Sequence, residues 1–305
     1  MNYQNDTICA ISTPPGISGI AVIRISGAEA IKTADCYFKG RRKLQDCSSH
    51  TVHFGHIVDG DEILDEVYAM IFRTPHSYTG EDVVEISCHG NTFVANRILQ
   101  LLLRKIRLAG PGEFTQRAFF NDKIDLTRAE AIADLLQAQT RRSHRAAVEQ
   151  LEGSLYRRIE LLVQKLTDYR TRLELEIDFL EQSIPEINLG ELEGNLLGLL
   201  AELKQLVASG EEGIILREGL RVSLVGAPNV GKSSIFNAFL ESERAIVTPI
   251  PGTTRDYLEE AISLQGYLVR IFDTAGIRPA GDQIEQIGID RSYDIIKKSH
   301  LVLFI

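Results

Sequence analysis

The sequence predicts three differently built parts in succession: an α+β domain over residues 1–120, an α-helical bundle domain over 121–218, and a partial α/β domain over 219–305. Three observations carry that division. Residues 7–120 mix short β-like runs with two helix-like stretches, and residues 126–182 carry apolar side chains at three- and four-residue steps. Residues 226–233 form a glycine-bearing turn between an apolar run and a helix-compatible one. A chain of 305 residues, 44% of them hydrophobic, can build two or three domains with cores of their own.

In the first part, strands are predicted at Ile20–Ile25, Thr51–Val58, Glu66–Phe72 and Asp82–Ser87. Helices are predicted from Gly27 to Tyr37 and from Thr92 to Ala109, the second apolar at Val94, Ile98, Leu101 and Leu102. In the second part, Val148, Leu151, Leu155, Ile159, Leu162, Leu166, Leu173, Ile177 and Leu180 form a stripe that reads as a bundle core. Ser183-Ile-Pro185 ends that helix, and another runs from Gly190 to Ser209. Gly210-Glu-Glu-Gly213 then reads as a loop ahead of a short segment, Ile214 to Glu218. In the third part, strands are placed near 221–225, 257–264, 267–272 and 301–305, the last as a buried central strand. A complete domain of this kind has about six strands, so the chain is expected to be a piece of a longer protein.

The sharpest motif is Gly226-Ala-Pro-Asn-Val-Gly-Lys-Ser233. It follows the apolar run Arg221–Val225 and precedes the helix-compatible Ser234–Leu240, the strand–loop–helix context in which a glycine-rich loop cradles phosphates. Gly226 and Gly231 let successive N–H groups of Asn229, Val230, Gly231, Ser233 and Ser234 turn toward one anion, and the helix N-terminus adds positive charge. Lys232 would reach the β- and γ-phosphates and Ser233 would ligate Mg²⁺. Downstream, the apolar Leu268–Phe272 ends in Asp273-Thr274-Ala275-Gly276, where such proteins place a second Mg²⁺ carboxylate and a γ-phosphate-sensing glycine. Between them, Thr248-Pro-Ile-Pro-Gly-Thr-Thr-Arg-Asp256 is a loop in which Thr253 or Thr254 could place a hydroxyl on the metal. This order reads as a GTPase rather than an ATPase. Ile277 stands where Ras-like GTPases carry the glutamine that orients the attacking water, so water must be held otherwise, with Arg278, Asp282 and Glu285 as candidates. No arginine finger can be read from the sequence; Arg255 and Arg278 could contribute, with a structural surface ion pair the favoured alternative for either.

The net charge is −9, concentrated in residues 121–218 (12 basic and 19 acidic residues). An acidic chain does not hold nucleic acid by bulk phosphate neutralisation, so any RNA contact would rely on local patches such as Arg41-Arg-Lys43 or Arg141, Arg142 and Arg145. No run approaches the ~20 apolar residues that cross a bilayer, and no signal peptide is evident. Cys9, Cys36, Cys47 and Cys88 lie far apart and are expected to stay reduced in the cytoplasm.

Four segments give the chain a resemblance to the MnmE (TrmE) family of tRNA-modification GTPases. They are Thr7–Gly16 with Gly19–Gly27; Ser77–Asp82 with Glu85–Gly90; Gly110–Leu126 with Ala129–Asp134; and the GTPase set, including Pro251–Asp256 and Ile287–Ile289. The resemblance implies an N-terminal folate-binding and dimerising domain, a helical domain, and a G domain inserted into it. It also implies a homodimer that works with an MnmG (GidA) type flavoprotein on the wobble uridine (U34) of certain tRNAs, drawing on a tetrahydrofolate as one-carbon source.

Carried over by position, the family's 5-formyltetrahydrofolate contacts fall on Arg24, Glu81 and Lys123, and its potassium ligands on Asn229, Thr248, Ile250 and Thr253. Mg²⁺ falls on Ser233 and Thr254, and the water-orienting glutamate on Glu285. Potassium bound between paired G domains would supply the charge an arginine finger otherwise brings. Pro279 departs from the family, which usually has an acidic or polar residue there. The competing reading is a GTP switch for ribosome assembly of the Era or EngA kind. A third reading is a folate-binding dimerisation module whose partial G domain hydrolyses nothing.

Overall fold

The computed structural model describes residues 6–178, 188–226, 230–242, 259–273 and 295–305. The chain divides into two compact units, Met1–Ala129 and Glu130–Ile305.

The first unit is built on a seven-stranded sheet of order β3-β4-β5-β6-β2-β1-β7. Its strands are β1 (Ile8–Ile11), β2 (Ile20–Ser26), β3 (Phe38–Gly40), β4 (Thr51–Asp59), β5 (Glu62–Phe72), β6 (Val83–His89) and β7 (Arg107–Leu108). All pairs are antiparallel except β1 with β7. Helices α1 (Ala30–Tyr37) and α2 (Thr92–Leu102) share one core with the strands: Ala30, Ile31 and Ala34 of α1 and Ala95, Ile98 and Leu101 of α2 join Ile23, Ile25, Ile57, Ala69, Ile71, Val84 and Ile86. Because strand side chains alternate, the residues between these point the other way. There the register sets Arg24 opposite Glu85, Glu85 opposite Met70, and Met70 opposite Val52.

Both predicted helices of this unit are longer than the ones that form. Gly27 adopts φ +132°, which breaks the chain out of β2, and α1 begins only at Ala30. Beyond α2 the backbone leaves the helix and returns to the sheet as β7, beside β1. The short strands β1, β3 and β7 lack the length that makes alternation visible in a sequence. After β7 come α3 (Glu113–Phe120) and α4 (Leu126–Gln137).

The second unit continues with α5 (Arg141–Leu151), α6 (Ser154–Asp178) and α7 (Leu189–Glu218). Thr140 caps α5 through a reciprocal pair with Ser143, and Asn188 caps α7 by accepting from the Gly190 and Glu191 amides. One expectation fails here. Gly210–Gly213 is not a loop: α7 runs through it unbroken to Glu218, because a glycine costs only about 1 kcal/mol in a helix and no proline is present. Of the apolar positions on these helices, Leu162 and Leu199 are buried, while Ile159, Leu166 and Ile177 are exposed, no further helix among the described residues covering them. The expected helix end at Ser183–Pro185 lies outside the described residues.

The remaining sheet has the order β11-β8-β10-β9, with β8 (Leu220–Val225), β9 (Glu259–Leu264), β10 (Tyr267–Asp273) and β11 (Leu301–Phe304). Strand β8 is parallel to both its neighbours. It is followed by α8 (Lys232–Ser242). Strand β11, expected to be central and buried, pairs with β8 alone among the described strands, and Phe304 is 83% exposed. At the β9–β10 turn, the Arg142 guanidinium of α5 lies 4.2 Å from the centre of the Tyr267 ring and donates a 2.7 Å hydrogen bond to its hydroxyl.

A Cβ at Gly27 would meet the Thr7 Cα at 2.7 Å and the Asp6 carbonyl oxygen at 2.9 Å, with φ already in glycine's own region. Gly27→Ala is therefore expected to destabilise the first unit by about 1–3 kcal/mol. Urea unfolding followed by circular dichroism checks it; an unchanged midpoint would show that the crossing of residues 6–7 over Gly27 is dispensable.

Candidate functional site

Two groups of predicted residues are described, one in each unit. In the second unit β8 runs into the glycine-bearing turn. Gly231 takes φ +105°, and α8 starts at the next residue, so the helix N-terminus faces the turn. Lys232 is buried, and its Nζ donates to the Gly226 carbonyl at 2.9 Å. The lysine thus spans the loop from its last glycine to its first. A side chain at Gly226 would collide with the Ile305 carbonyl oxygen, which accounts for glycine there. Asp273 ends β10 in register with Leu224, which places its backbone one strand from the start of the loop. Ser233 lies in the first turn of α8, and Val230 and Ser234 are exposed at the loop. Asn229, Thr248, Ile250, Thr253, Thr254, Thr274, Ala275, Gly276 and Glu285 lie outside the described residues, as do Arg255, Ile277, Arg278 and Asp282.

In the first unit Arg24, Glu81 and Lys123 gather around the loop between β5 and β6, which includes a cis Thr74–Pro75 bond. Arg24 is paired with Glu85 at 2.7 Å, the ordinary salt bridge its place on a strand suggests. Its guanidinium also lies 4.8 Å from the centre of the Tyr78 ring and 5.5 Å from that of Phe114. Tyr78 belongs to the loop and hydrogen-bonds Thr115 of α3 at 2.9 Å. Glu81 accepts from Ser26 Oγ at 2.7 Å and from Arg117 at 3.1 and 3.2 Å. Lys123 donates to the Pro75 carbonyl at 3.0 Å, and Asn121 to the Thr79 carbonyl at 2.7 Å. The loop is therefore held by residues 114–123, a segment far from it in sequence.

Arg117 ties this region together. Its side chain is only 2% exposed and contacts Asp6, Glu81 and Glu113. Burial disfavours its charge, but the hydrogen bonds to Glu113 and Glu81 outweigh that and raise its pKa. Glu113 also receives both nitrogens of Arg107 and the Gly110 amide. The bond from Arg107 is the main cause that holds the Glu113 carboxyl down at about 2. Sequence reasoning assigned no role to Arg117, Glu85, Tyr78 or Phe114. The one usable signal was a lone arginine between the aromatic residues Phe114 and Phe119. Among the described residues, no His/Cys/Asp/Glu cluster is suited to a metal ion. No helix there is long and apolar enough to cross a membrane.

A parallel strand ending in a glycine-bearing turn, a helix opening on a buried lysine and an aspartate ending the adjacent strand define a P-loop nucleotide-binding domain, here in part. Comparison with known proteins narrows that class. Residues 7–123 match the family model described as the N-terminus of GTP-binding protein TrmE, and residues 126–301 match the model of the MnmE helical domain. A protein of Pediococcus pentosaceus named tRNA modification GTPase MnmE is 45% identical over all of this chain and 66% of its own length. Proteins of the same name from Listeria welshimeri and Clostridioides difficile are 45% and 44% identical, over 98% and 99% of this chain and 66% and 67% of their own. The chain belongs to the MnmE (TrmE) family, and it spans about two thirds of the length of the curated relatives it matches.

The Glu113 carboxyl, depressed from 4.5 to about 2, stabilises the fold fully above its unfolded value. That contribution is lost as pH falls from about 4.5 toward 2. Glu113→Gln is expected to lower stability at neutral pH by on the order of 3 kcal/mol and to flatten the acid decline of the urea midpoint in that window. An acid limb as steep as in the parent would place the lability elsewhere.

Proposed function

We propose that the intact protein is a cytoplasmic, K⁺-dependent GTPase that serves modification of the wobble uridine of certain tRNAs, together with an MnmG-type flavoprotein. The observation that carries the reading is the span of Lys232 across the Gly226–Gly231 loop at the end of a parallel strand, in a chain of this family. The three parts are then a folate-binding and dimerisation domain (1–120), the first part of a helical domain (121–218) and the N-terminal part of a G domain (219–305).

In this reading the Lys232 ammonium leaves the Gly226 carbonyl for the β- and γ-phosphates, while the amides of Val230, Gly231, Ser233 and Ser234 hold the chain of phosphates. Ser233 and Thr254 hold Mg²⁺, and Asn229, Thr248, Ile250 and Thr253 offer the hard oxygen ligands that suit K⁺. Glu285 orients the attacking water, since the isoleucine at 277 cannot. Thr274, Ala275 and Gly276 sense the γ-phosphate beside Asp273. Arg24, Glu81 and Lys123 take the folate, whose carboxylate tail suits cations and whose pterin edge suits a carboxylate. The homodimer forms through the N-terminal domain, for which the exposed Val52, Phe54 and Tyr68 of β4 and β5 supply apolar surface.

In the full-length protein, Lys232→Ala is expected to weaken GTP binding by about 10- to 100-fold, the loss of a charge-assisted contact worth roughly 1.5–3 kcal/mol. Isothermal titration measures it, and parental affinity would move the phosphate site away from this loop.

Hydrolysis is expected to run faster in K⁺ than in Na⁺, with Asn229→Ala removing the difference. Glu285→Ala should lower kcat by about 100-fold while GTP affinity holds. Equal rates in the two salts would end the potassium role, and an unchanged kcat would shift water positioning to Arg278 or Asp282.

A further inference from the structure

We infer that Arg117 positions Glu81 for ligand recognition, an assignment that rests on the folate reading above. Glu81 sits on the irregular β5–β6 loop, where no ladder of backbone hydrogen bonds fixes its direction. Its carboxylate is instead fixed by side chains: Ser26 Oγ at 2.7 Å and Arg117 Nη1 at 3.1 and 3.2 Å. Ser26 is itself tied to Thr79 at 2.7 Å.

The guanidinium does not depend on Glu81 for its own place. Nη1 also donates to the Asp6 carbonyl at 2.7 Å, and Nη2 donates to Asp6 Oδ1 at 2.8 Å and Glu113 Oε1 at 3.0 Å. With 2% of its side chain exposed, Arg117 is not placed to touch a bound molecule, whereas Glu81 keeps 14% of its side chain at the surface. The geometry is that of a prealigned acceptor: a carboxylate held by Arg117 and Ser26, with part of its side chain at the surface. A carboxylate recognises a pterin through two parallel hydrogen bonds, from the 2-amino group and N3–H, and this pairing tolerates little misdirection. A lysine at 117 would be a point charge unable to serve Glu81, Asp6 and Glu113 from one rigid fork.

The test uses full-length protein and two probes: 5-formyltetrahydrofolate and its analogue with the 2-amino group replaced by methyl. Parent, Arg117→Lys, Glu81→Gln and the double variant are compared by equilibrium binding, with thermal melting as the folding check. The parent is expected to prefer the 2-amino ligand by about tenfold or more. Arg117→Lys should lose most of that preference, and the double variant should discriminate no worse than Glu81→Gln alone. Equal weakening toward both probes in Arg117→Lys would show a merely structural residue and overturn the assignment. So would a preference equal to that of the parent.

Binding of neither probe by the parent dimer removes the folate reading and this assignment with it. Binding by the parent with an unaltered preference in the variants removes this assignment alone. Should Arg117→Lys not fold, Asp6→Asn loosens the guanidinium from its solvent side and is expected to lower the preference by about threefold; an unchanged preference there overturns the assignment.

Discussion

A guanidinium withdrawn from water must be met by negative charge and by acceptors for its fixed fork of donors, or it destabilises whatever encloses it. That demand organises the N-terminal domain. Arg117 draws to one point the segment ahead of β1, the loop between β5 and β6, and the first turn of α3. These three pieces of chain share no strand ladder. Gly27 makes the meeting possible by letting residues 6 and 7 pass within van der Waals distance of its backbone. Arg107 extends the cluster by holding both Asp6 and Glu113.

The sheet divides the labour. Helices α1 and α2 cover one face and bury an aliphatic core there. The opposite face and its rim carry polar side chains, with Arg24 and Glu85 as cross-strand partners and Tyr78 and Glu81 brought by the β5–β6 loop. The second unit solves its anion problem differently, with backbone. A parallel strand leads to a loop whose last glycine, Gly231, takes φ +105°, and a helix begins at the next residue, so the peptide dipoles point where a phosphate would sit. Before any phosphate arrives, the lysine's charge is answered by a carbonyl of the same loop.

Much of this was legible in the sequence, for identifiable reasons. The 226–233 motif is local, so its strand, turn and helix followed from spacing alone, and β2, β4, β5 and β6 were long enough for alternation to show. Strands β1, β3 and β7 were too short. The Gly210–Gly213 segment misled because glycine was weighed as a breaker without counting the 30-residue helix it interrupts. The apolar stripe of α6 was read as a core from its periodicity, yet periodicity marks a face without saying whether anything covers it. Arg24, Glu81 and Lys123 came from resemblance. For Arg117 the local pattern offered only a lone arginine between Phe114 and Phe119, and it could not show the partners, which lie 111, 36 and 4 residues away.

The clasp between Arg142 and Tyr267 has a mechanical meaning. An antiparallel hairpin resists bending along its strands, and here its tip is held to α5 by a stacked guanidinium and a hydrogen bond, the stacking alone worth about 0.5–1 kcal/mol. Strand β9 follows residues 248–256 in the chain, and β10 ends at Asp273, where 274–276 begin. The tip of the hairpin is thus anchored to a helix by two contacts of different kinds, one to the ring face and one to its hydroxyl.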